Sequence, residues 1–454
     1  MPKPVIFIPG VPASELHDRE TNEVVFPPTP ATLLIDERKQ AFFDAMLDIP
    51  GRLVAGPPIR SVLNLAKQAQ SLYDILARFG YTIDDAGPSN NFAAVGWDWR
   101  LGVDAQPTMD AVANAVTHFA PQPVVAILHS TGVLVFRAFL ERHPELADRI
   151  EQVLAFGGTW CGTLDALFAV HEGRSQNIIG IPLMSADEGA NLAGHAQATY
   201  DLFPPDPARN DMGDVQLVHA RDGSAAGANV DLSWIKEDRR HFAVPLAQRA
   251  NERFGARSRT FDLPLTNVVG WGAPTYAAAV LEQNDIHFLP EEKDAGDGTV
   301  PLVSASWIQG PNVRTIIVPI GAFVADPIAD RHAHMWDSLA VTDVFRELFR
   351  PGTERKPFIA AAADSDEAID LNSSAVTIRL TAQSNDGQPL PNCIATATIR
   401  NRRFPVPFNG RTRAIFRLNR QGLQSNFGHL FRFTFDFAWD GGSRNNVAVA
   451  FRAP

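Results

Sequence analysis

The segment Val124-Val125-Ala126-Ile127-Leu128-His129-Ser130-Thr131-Gly132 runs directly into Val133-Leu134-Val135-Phe136-Arg137-Ala138-Phe139-Leu140. The first part is a continuous apolar run rich in β-branched residues, as expected of a strand buried on both faces, and the second has helical spacing. A serine held between such a strand and helix is the setting of a nucleophile elbow. A tight turn there lifts the hydroxyl clear of the sheet, and the helix N-terminus favours negative charge. Ser130 is therefore the candidate nucleophile. The usual pattern is Gly-x-Ser-x-Gly, and Leu128 stands at its first glycine position. A slightly wider turn or a special packing is expected there.

Outward from this segment, the first 350 residues alternate apolar runs with amphipathic stretches, the pattern of a mainly parallel sheet covered by helices. Candidate strands are Val5–Ile8, Ala93–Trp97, Val124–Leu128, Val153–Phe156, Asn267–Gly270 and Val313–Val318. Beyond about 350 the chain changes character, and a linker is expected over 356–372. After it the period is two: in Phe431-Arg432-Phe433-Thr434-Phe435-Asp436-Phe437-Ala438-Trp439 every odd position is aromatic. Residues 373–454 are expected to form a small β-sandwich. The chain has 454 residues and a formal charge of −11, which argues against nucleic acid as a partner. No apolar run is long enough for a membrane span, and the start, Met1-Pro2-Lys3-Pro4, leads into a strand rather than a signal peptide. Cys161 and Cys393 offer neither a disulfide framework nor a zinc cluster, so the expected setting is cytoplasmic.

A serine hydroxyl needs an imidazole to take its proton and a carboxylate to fix that imidazole. Asp297 lies in the glycine-flanked loop Ala295-Gly296-Asp297-Gly298-Thr299-Val300-Pro301, and His332 and His334 follow in Asp330-Arg331-His332-Ala333-His334-Met335. The order serine, acid, histidine is that of α/β-hydrolases. The remaining histidines show no metal spacing, and no metal or other cofactor is indicated. One oxyanion donor is expected from the N–H of Thr131, directly after the nucleophile.

Seven short blocks now carry a family resemblance. They are Ile8-Pro9-Gly10-Val11-Pro12-Ala13-Ser14-Glu15-Leu16, Trp97-Asp98-Trp99-Arg100, the His-Ser-Thr-Gly elbow, Phe156-Gly157-Gly158-Thr159-Trp160-Cys161-Gly162, Tyr200-Asp201-Leu202-Phe203-Pro204, Gly270-Trp271-Gly272-Ala273-Pro274-Thr275 and Gly296-Asp297-Gly298-Thr299-Val300-Pro301. In this order the chain resembles the lecithin:cholesterol acyltransferase and lysosomal phospholipase A2 family of α/β-hydrolases. The resemblance implies a catalytic domain over 1–355 with a first excursion at about 17–80 and a cap at about 160–264. It favours His332 over His334 as the base, gives Val11 as the second oxyanion donor, and puts Trp160 where a substrate contact is expected. Asp98 and Arg100 are read as an ion pair holding the sheet end. The implied substrate is a lipid-type acyl ester, and water or an alcohol is the acyl acceptor, so the reading is an ester hydrolase or O-acyltransferase working through an acyl-serine. The excursion at 17–80 lacks the cysteine pair that pins the lid in secreted members, and membrane contact stays open. Two other readings stand beside this one: an inactive fold that binds a lipid or a protein, which Leu128 favours, and a C-terminal module that targets the enzyme to a polymer.

Overall fold

The computed structural model describes residues 2–62, 66–67, 69–84, 87–173, 176–178, 181–209, 217–228, 230–271, 273–282, 284–289, 292–319, 332–333, 335–337, 339–349, 358–363, 375–383, 389–390, 392–399, 402–419, 430–439 and 442–452. The chain divides into one unit of residues 1–315 with 320–338 and a second of 316–319 with 339–454. The first is built on β1 (Val5–Ile8), β2 (Phe92–Ala94), β3 (Val124–His129), β4 (Ile150–Phe156), β5 (Leu265–Trp271) and the first three residues of β6 (Val313–Pro319). Their order across the sheet is β6-β5-β4-β3-β1-β2. The pairings of β2 with β1, β1 with β3, β3 with β4 and β4 with β5 are parallel. This is the α/β-hydrolase fold. The strand order reverses between β1 and β3, the place where open α/β sheets carry their sites.

Helices α1 (Asp36–Leu47), α2 (Gln70–Arg78), α3 (Gln106–His118) and α4 (Gly132–Arg142) belong to this unit, as do α5 (Ala186–His195), α6 (Gln197–Asp201) and α7 (Arg240–Phe254). Among the described residues no helix is long and apolar enough to cross a membrane. Every residue of β3 is buried. Because partners in a parallel ladder share a face, Leu128 lies beside Ile8 and Ala155. That face also carries Ala93 and Ala126, and it shares one buried cluster with Met109, Val112 and Val116 of α3 and Val133, Phe136 and Phe139 of α4. Alanines at 93, 126 and 155 make room for the leucine, so the outcome at the missing glycine is special packing.

The excursion after β1 holds a three-stranded antiparallel sheet of Ser14–Asp18, Val24–Phe26 and Leu53–Pro58, with α1 in the chain between the last two. Arg100, 1% exposed, pins it. Its guanidinium pairs with Asp98 through Nε at 2.9 Å and Nη2 at 2.7 Å, and donates from Nη1 to the carbonyls of Ala45 and Met46 at the end of α1, both at 3.3 Å. A cation at a helix C-terminus meets orphan carbonyls and the negative end of the dipole. The pair is buried on both sides, so removing one partner strands a charge. Arg100→Met is expected to destabilise the chain by about 3–5 kcal/mol in urea unfolding, and the double variant Asp98→Leu/Arg100→Met by clearly less.

Between β4 and β5, Arg257 gathers the cap. It donates from Nη2 to the carbonyls of Asp201 at 2.5 Å and Phe203 at 3.2 Å, and from Nε to Phe254 at 3.1 Å. Lys39 of α1 reaches Glu188 of α5 at 2.6 Å, tying the first excursion to the cap. Asp201 accepts from the Val103 N–H at 2.9 Å and from Gln197 Nε2 at 2.9 Å. Burial nevertheless raises its pKa from 3.8 to about 6. The native state thus holds this proton more tightly than the unfolded chain, so the contribution is fully present below about pH 4 and is lost as pH rises through 6. Asp201→Asn removes the titration. Its unfolding free energy is expected to gain on that of the parent between pH 4 and pH 7 by at most about 3 kcal/mol, measured by calorimetry at both pH values.

The second unit holds two antiparallel sheets. One has β7 (Phe358–Ala363), β8 (Ala375–Gln383) and β11 (Arg413–Asn419) in the order β7-β8-β11; the other has β9 (Ile394–Ile399), β10 (Arg402–Pro407), β12 (Leu430–Trp439) and β13 (Gly442–Arg452) in the order β10-β9-β12-β13. Alternation sets the inward faces: Ile378, Leu380 and Phe416 from one sheet, Ala395, Ala397, Phe435 and Phe437 from the other, are buried. Phe416 meets Phe435 edge-on at 5.5 Å, which closes the sandwich. Within the stretch expected as linker, 358–363 is a strand, β7, and the rest of 356–372 lies outside the described residues.

Candidate active site

Ser130 follows β3 and precedes α4 with φ of +54°, a left-handed backbone that is uncommon for a residue with a side chain. Its N–H donates to Phe156 O at 2.9 Å, and its carbonyl accepts from Val133 at 3.3 Å and Thr159 at 3.4 Å. The elbow is tight on both sides. A Cβ at Gly10 would lie 2.5 Å from Ser130 Cβ, and one at Gly132 would lie 2.4 Å from the Ile8 carbonyl oxygen. The close approach of α4 to the sheet therefore falls on Gly132, not on position 128.

Asp297 stands at the end of the strand Glu292–Gly296, which pairs with Ala273–Thr275. It is fully buried, and its Oδ1 accepts the N–H groups of Thr299 at 3.1 Å and Val300 at 2.7 Å. Thr163 Oγ1 donates to the Thr299 carbonyl at 2.6 Å and fastens the loop from the other side. The second carboxylate oxygen, Oδ2, meets His332 Nδ1 at 2.6 Å. A charge-assisted bond of this length fixes the imidazole with its proton on Nδ1 and leaves Nε2 as the acceptor.

His332 is held from three directions. Its ring stacks on His129 with centroids 4.7 Å apart, and its carbonyl accepts from His129 Nε2 at 3.3 Å. Four residues on, Trp336 packs against Phe156 at 4.5 Å, His129 at 5.4 Å and Phe7 at 6.3 Å, one ring from each of β4, β3 and β1. On the third side is Gly157, with φ of +56°; a Cβ there would sit 2.7 Å from His332 Cε1 and 3.1 Å from Asp297 Oδ2. Burial, reinforced by the neighbouring His332 charge, pushes the pKa of His129 down to about 3, so it remains a neutral Nε2–H donor.

Val11 follows Gly10 and Thr131 follows Ser130 in the two turns that meet. Ala13 N–H closes the first turn onto Gly10 O at 3.0 Å, and the Trp97 indole N–H holds Pro9 O at 3.0 Å. Among the described residues, neither the Val11 N–H nor the Thr131 N–H donates to a protein acceptor. Thr131 also sits at the N-terminus of α4, whose dipole favours an anion.

Residues 59–241 match the family of lecithin:cholesterol acyltransferase. The match covers 183 of the 454 residues and makes the chain an enzyme of the lipid esterase and acyltransferase kind. No curated protein matches the sequence. Among solved structures the chain is similar to the Tle4–Tli4 complex, at 13% identity and a TM-score of 0.47 over 77% of this chain and 97% of that one. It is also similar to phospholipase PlaB from Legionella pneumophila, at 11% identity and a TM-score of 0.30 over 99% and 90%. A third is the lin2722 product from Listeria innocua, at 12% identity and a TM-score of 0.27 over 77% and 95%.

Of the residues singled out in sequence, Asp297 and His332 are joined directly, Ser130 lies one strand end away against Gly10, and Val11 and Thr131 lie beside it. His334 lies outside the described residues. Trp160 is the exception. It is fully buried, its indole N–H donates to Asn267 Oδ1 at 3.1 Å, and its ring packs on Phe261 at 5.7 Å. Its polar atom and apolar surface are both used within the core, so it is a packing residue in this structure rather than a substrate contact. Cys161 is buried, with its thiol pKa pushed up to about 12, and is unreactive there. Sequence reasoning passed over His129, Gly157 and Trp336, although His129 adjoins the serine and Gly157 is the second residue of a quoted block. Among the described residues no three His, Cys, Asp or Glu side chains group to hold a metal ion.

The contact at Gly157 generates a test. Gly157→Ala drives a methyl into the His332–Asp297 pair, whereas Gly80, also at positive φ (+88°), has nothing within 4 Å of its missing Cβ. Both variants are expected to lose about 1 kcal/mol from the backbone. Only Gly157→Ala is expected to slow turnover of a soluble chromogenic ester, by about a hundredfold, because misplacement by about an ångström suffices for that.

Proposed function

We propose that the chain cleaves lipid-type carboxylic esters through an acyl-serine intermediate on Ser130. The observation that carries this reading is the 2.6 Å bond between His332 Nδ1 and Asp297 Oδ2 on a loop packed against the elbow of Ser130. In the first half-reaction Ser130 Oγ attacks the acyl carbon while His332 Nε2 takes the hydroxyl proton. Asp297 holds the imidazole tautomer and balances the imidazolium. The Val11 and Thr131 N–H groups hold the oxyanion. Collapse breaks the ester bond, and His332 returns the proton to the leaving alkoxide.

In the second half-reaction His332 takes a proton from the acceptor as that acceptor attacks the acyl-serine, and then returns it to Ser130. Water gives hydrolysis; an alcohol gives O-acyl transfer. Which dominates depends on how well the cap excludes water and seats an alcohol. Hydrolysis is the favoured outcome for this chain. On this reading the catalytic domain runs over 1–355, and the β module that follows includes β7 (Phe358–Ala363).

Labelling by a fluorophosphonate probe tests the proposal. The parent is expected to label on one serine, and Ser130→Ala is expected to abolish labelling and lower ester turnover by a factor on the order of 10⁴ or more with Tm unchanged. Asp297→Asn is expected to cost about 10⁴ in kcat through the wrong tautomer. A parent that never labels while folded would return the fold to the inactive, lipid-binding reading. A chain-length series of esters with and without added alcohol then separates hydrolysis from transfer.

A further inference from the structure

The acidic chain hides a basic stretch. Between Asp386 and Asp436 there is no carboxylate, and the interval holds eight arginines and no lysine. The sheet β7-β8-β11 arranges part of this charge. Along β11, Phe416 is buried, while Arg413, Ile415 and Arg417 are exposed on the opposite face. In register, Arg413 lies opposite Thr381, Ile415 opposite Arg379 and Arg417 opposite Thr377 of β8. Exposed arginines at 413 and 417 thus flank an isoleucine that is 53% exposed.

We propose that this outer face docks on an anionic phospholipid bilayer. The two exposed guanidiniums match a plane of phosphate headgroups, each able to take a bidentate bond. Clustered basic residues beside a membrane gain from the negative surface potential of anionic lipid. Ile415 is the second part of the match. A large apolar side chain flanked by cations gains nothing from water, whereas at a bilayer it reaches past the headgroups to the acyl boundary while the arginines stay among the phosphates. A single-stranded nucleic acid would use aromatic platforms for its bases, and the exposed centre of this face is aliphatic. The choice of lipid over another polyanion also rests on the ester-cleaving reading above, because such a surface would hold the enzyme on the aggregate that contains its substrate.

The test uses the full-length chain carrying Ser130→Ala, so that vesicles are not consumed, in co-sedimentation with phosphatidylcholine vesicles with and without about one-third phosphatidylglycerol. The chain is expected to sediment with the anionic vesicles at low salt, to be released at high salt, and to remain free with phosphatidylcholine alone. Arg413→Glu/Arg417→Glu is expected to lower binding to anionic vesicles by at least about tenfold. Ile415→Asp is expected to lower it as well. In the Ser130-intact background both variants should keep the parent's Tm and rate of fluorophosphonate labelling, which separates loss of docking from loss of fold. Equal binding by parent and variants, equal binding to neutral vesicles, or tight binding to heparin or single-stranded DNA that anionic vesicles fail to displace would each overturn the proposal. Failure of the parent to label with fluorophosphonate would bear on catalysis and leave the vesicle result standing.

Discussion

Two turns that touch organise the first unit. β1 and β3 are neighbours in space, yet β2 and α3 separate them in sequence, and the strand order reverses where they meet. The turns leaving these strands have no room for a side chain between them. Gly10 lies against the Ser130 side chain, and Gly132 lies against the carbonyl of Ile8. With hydrogen at both positions the backbones close in, and the turn of Val11 meets that of Thr131. Anything larger would push these turns apart and loosen the left-handed Ser130, which bonds to Phe156, Val133 and Thr159.

The acid and base reach this point by different routes. Asp297 is supplied by a short antiparallel ladder and two N–H bonds within its own loop, so its position is local and polar. His332 depends on an apolar anchor: the Trp336 ring is buried among rings from three strands, and the stacked His129 extends that layer under the imidazole. Electrostatics assigns the charge between the two histidines. Stacked imidazoles cannot both be cations at this distance; burial keeps His129 neutral, and Asp297 beside His332 makes that ring the one able to carry the proton.

How far this was legible in sequence follows from where the information is local. Val5–Ile8 is a strand with those limits, and the stretches at 267–270 and 313–318 fall inside longer observed strands, since unbroken apolar runs identify strands buried on both faces. The segment expected at 93–97 forms a strand only over Phe92–Ala94. Beyond it the backbone turns to the first excursion, where the Trp97 N–H donates to Ser14 Oγ, a partner 83 residues away that no local pattern reveals. Trp160 misled for a related reason. Its place after β4 suggested a surface, but the partner that buries it, Asn267, lies 107 residues on. The period of two in 431–439 identified the inward rings of β12, whereas the charge of the outer face went unread because the net charge of the whole chain is negative.

Leu128 was the feature that favoured a fold without turnover, and its packing removes the reason. The leucine occupies space provided by alanines at 93, 126 and 155, on a face of the sheet that does not require glycine, while the positions that do require it, 10 and 132, have it. A protein that only bound a lipid would gain nothing from the remaining constellation. A non-glycine residue at positive φ costs on the order of 1–3 kcal/mol, and a fully buried carboxylate must be compensated by bonds from every side. Ser130 and Asp297 carry those costs, with an imidazole bonded to the carboxylate. Strain and buried charge persist together where chemistry uses both, and acyl transfer uses both.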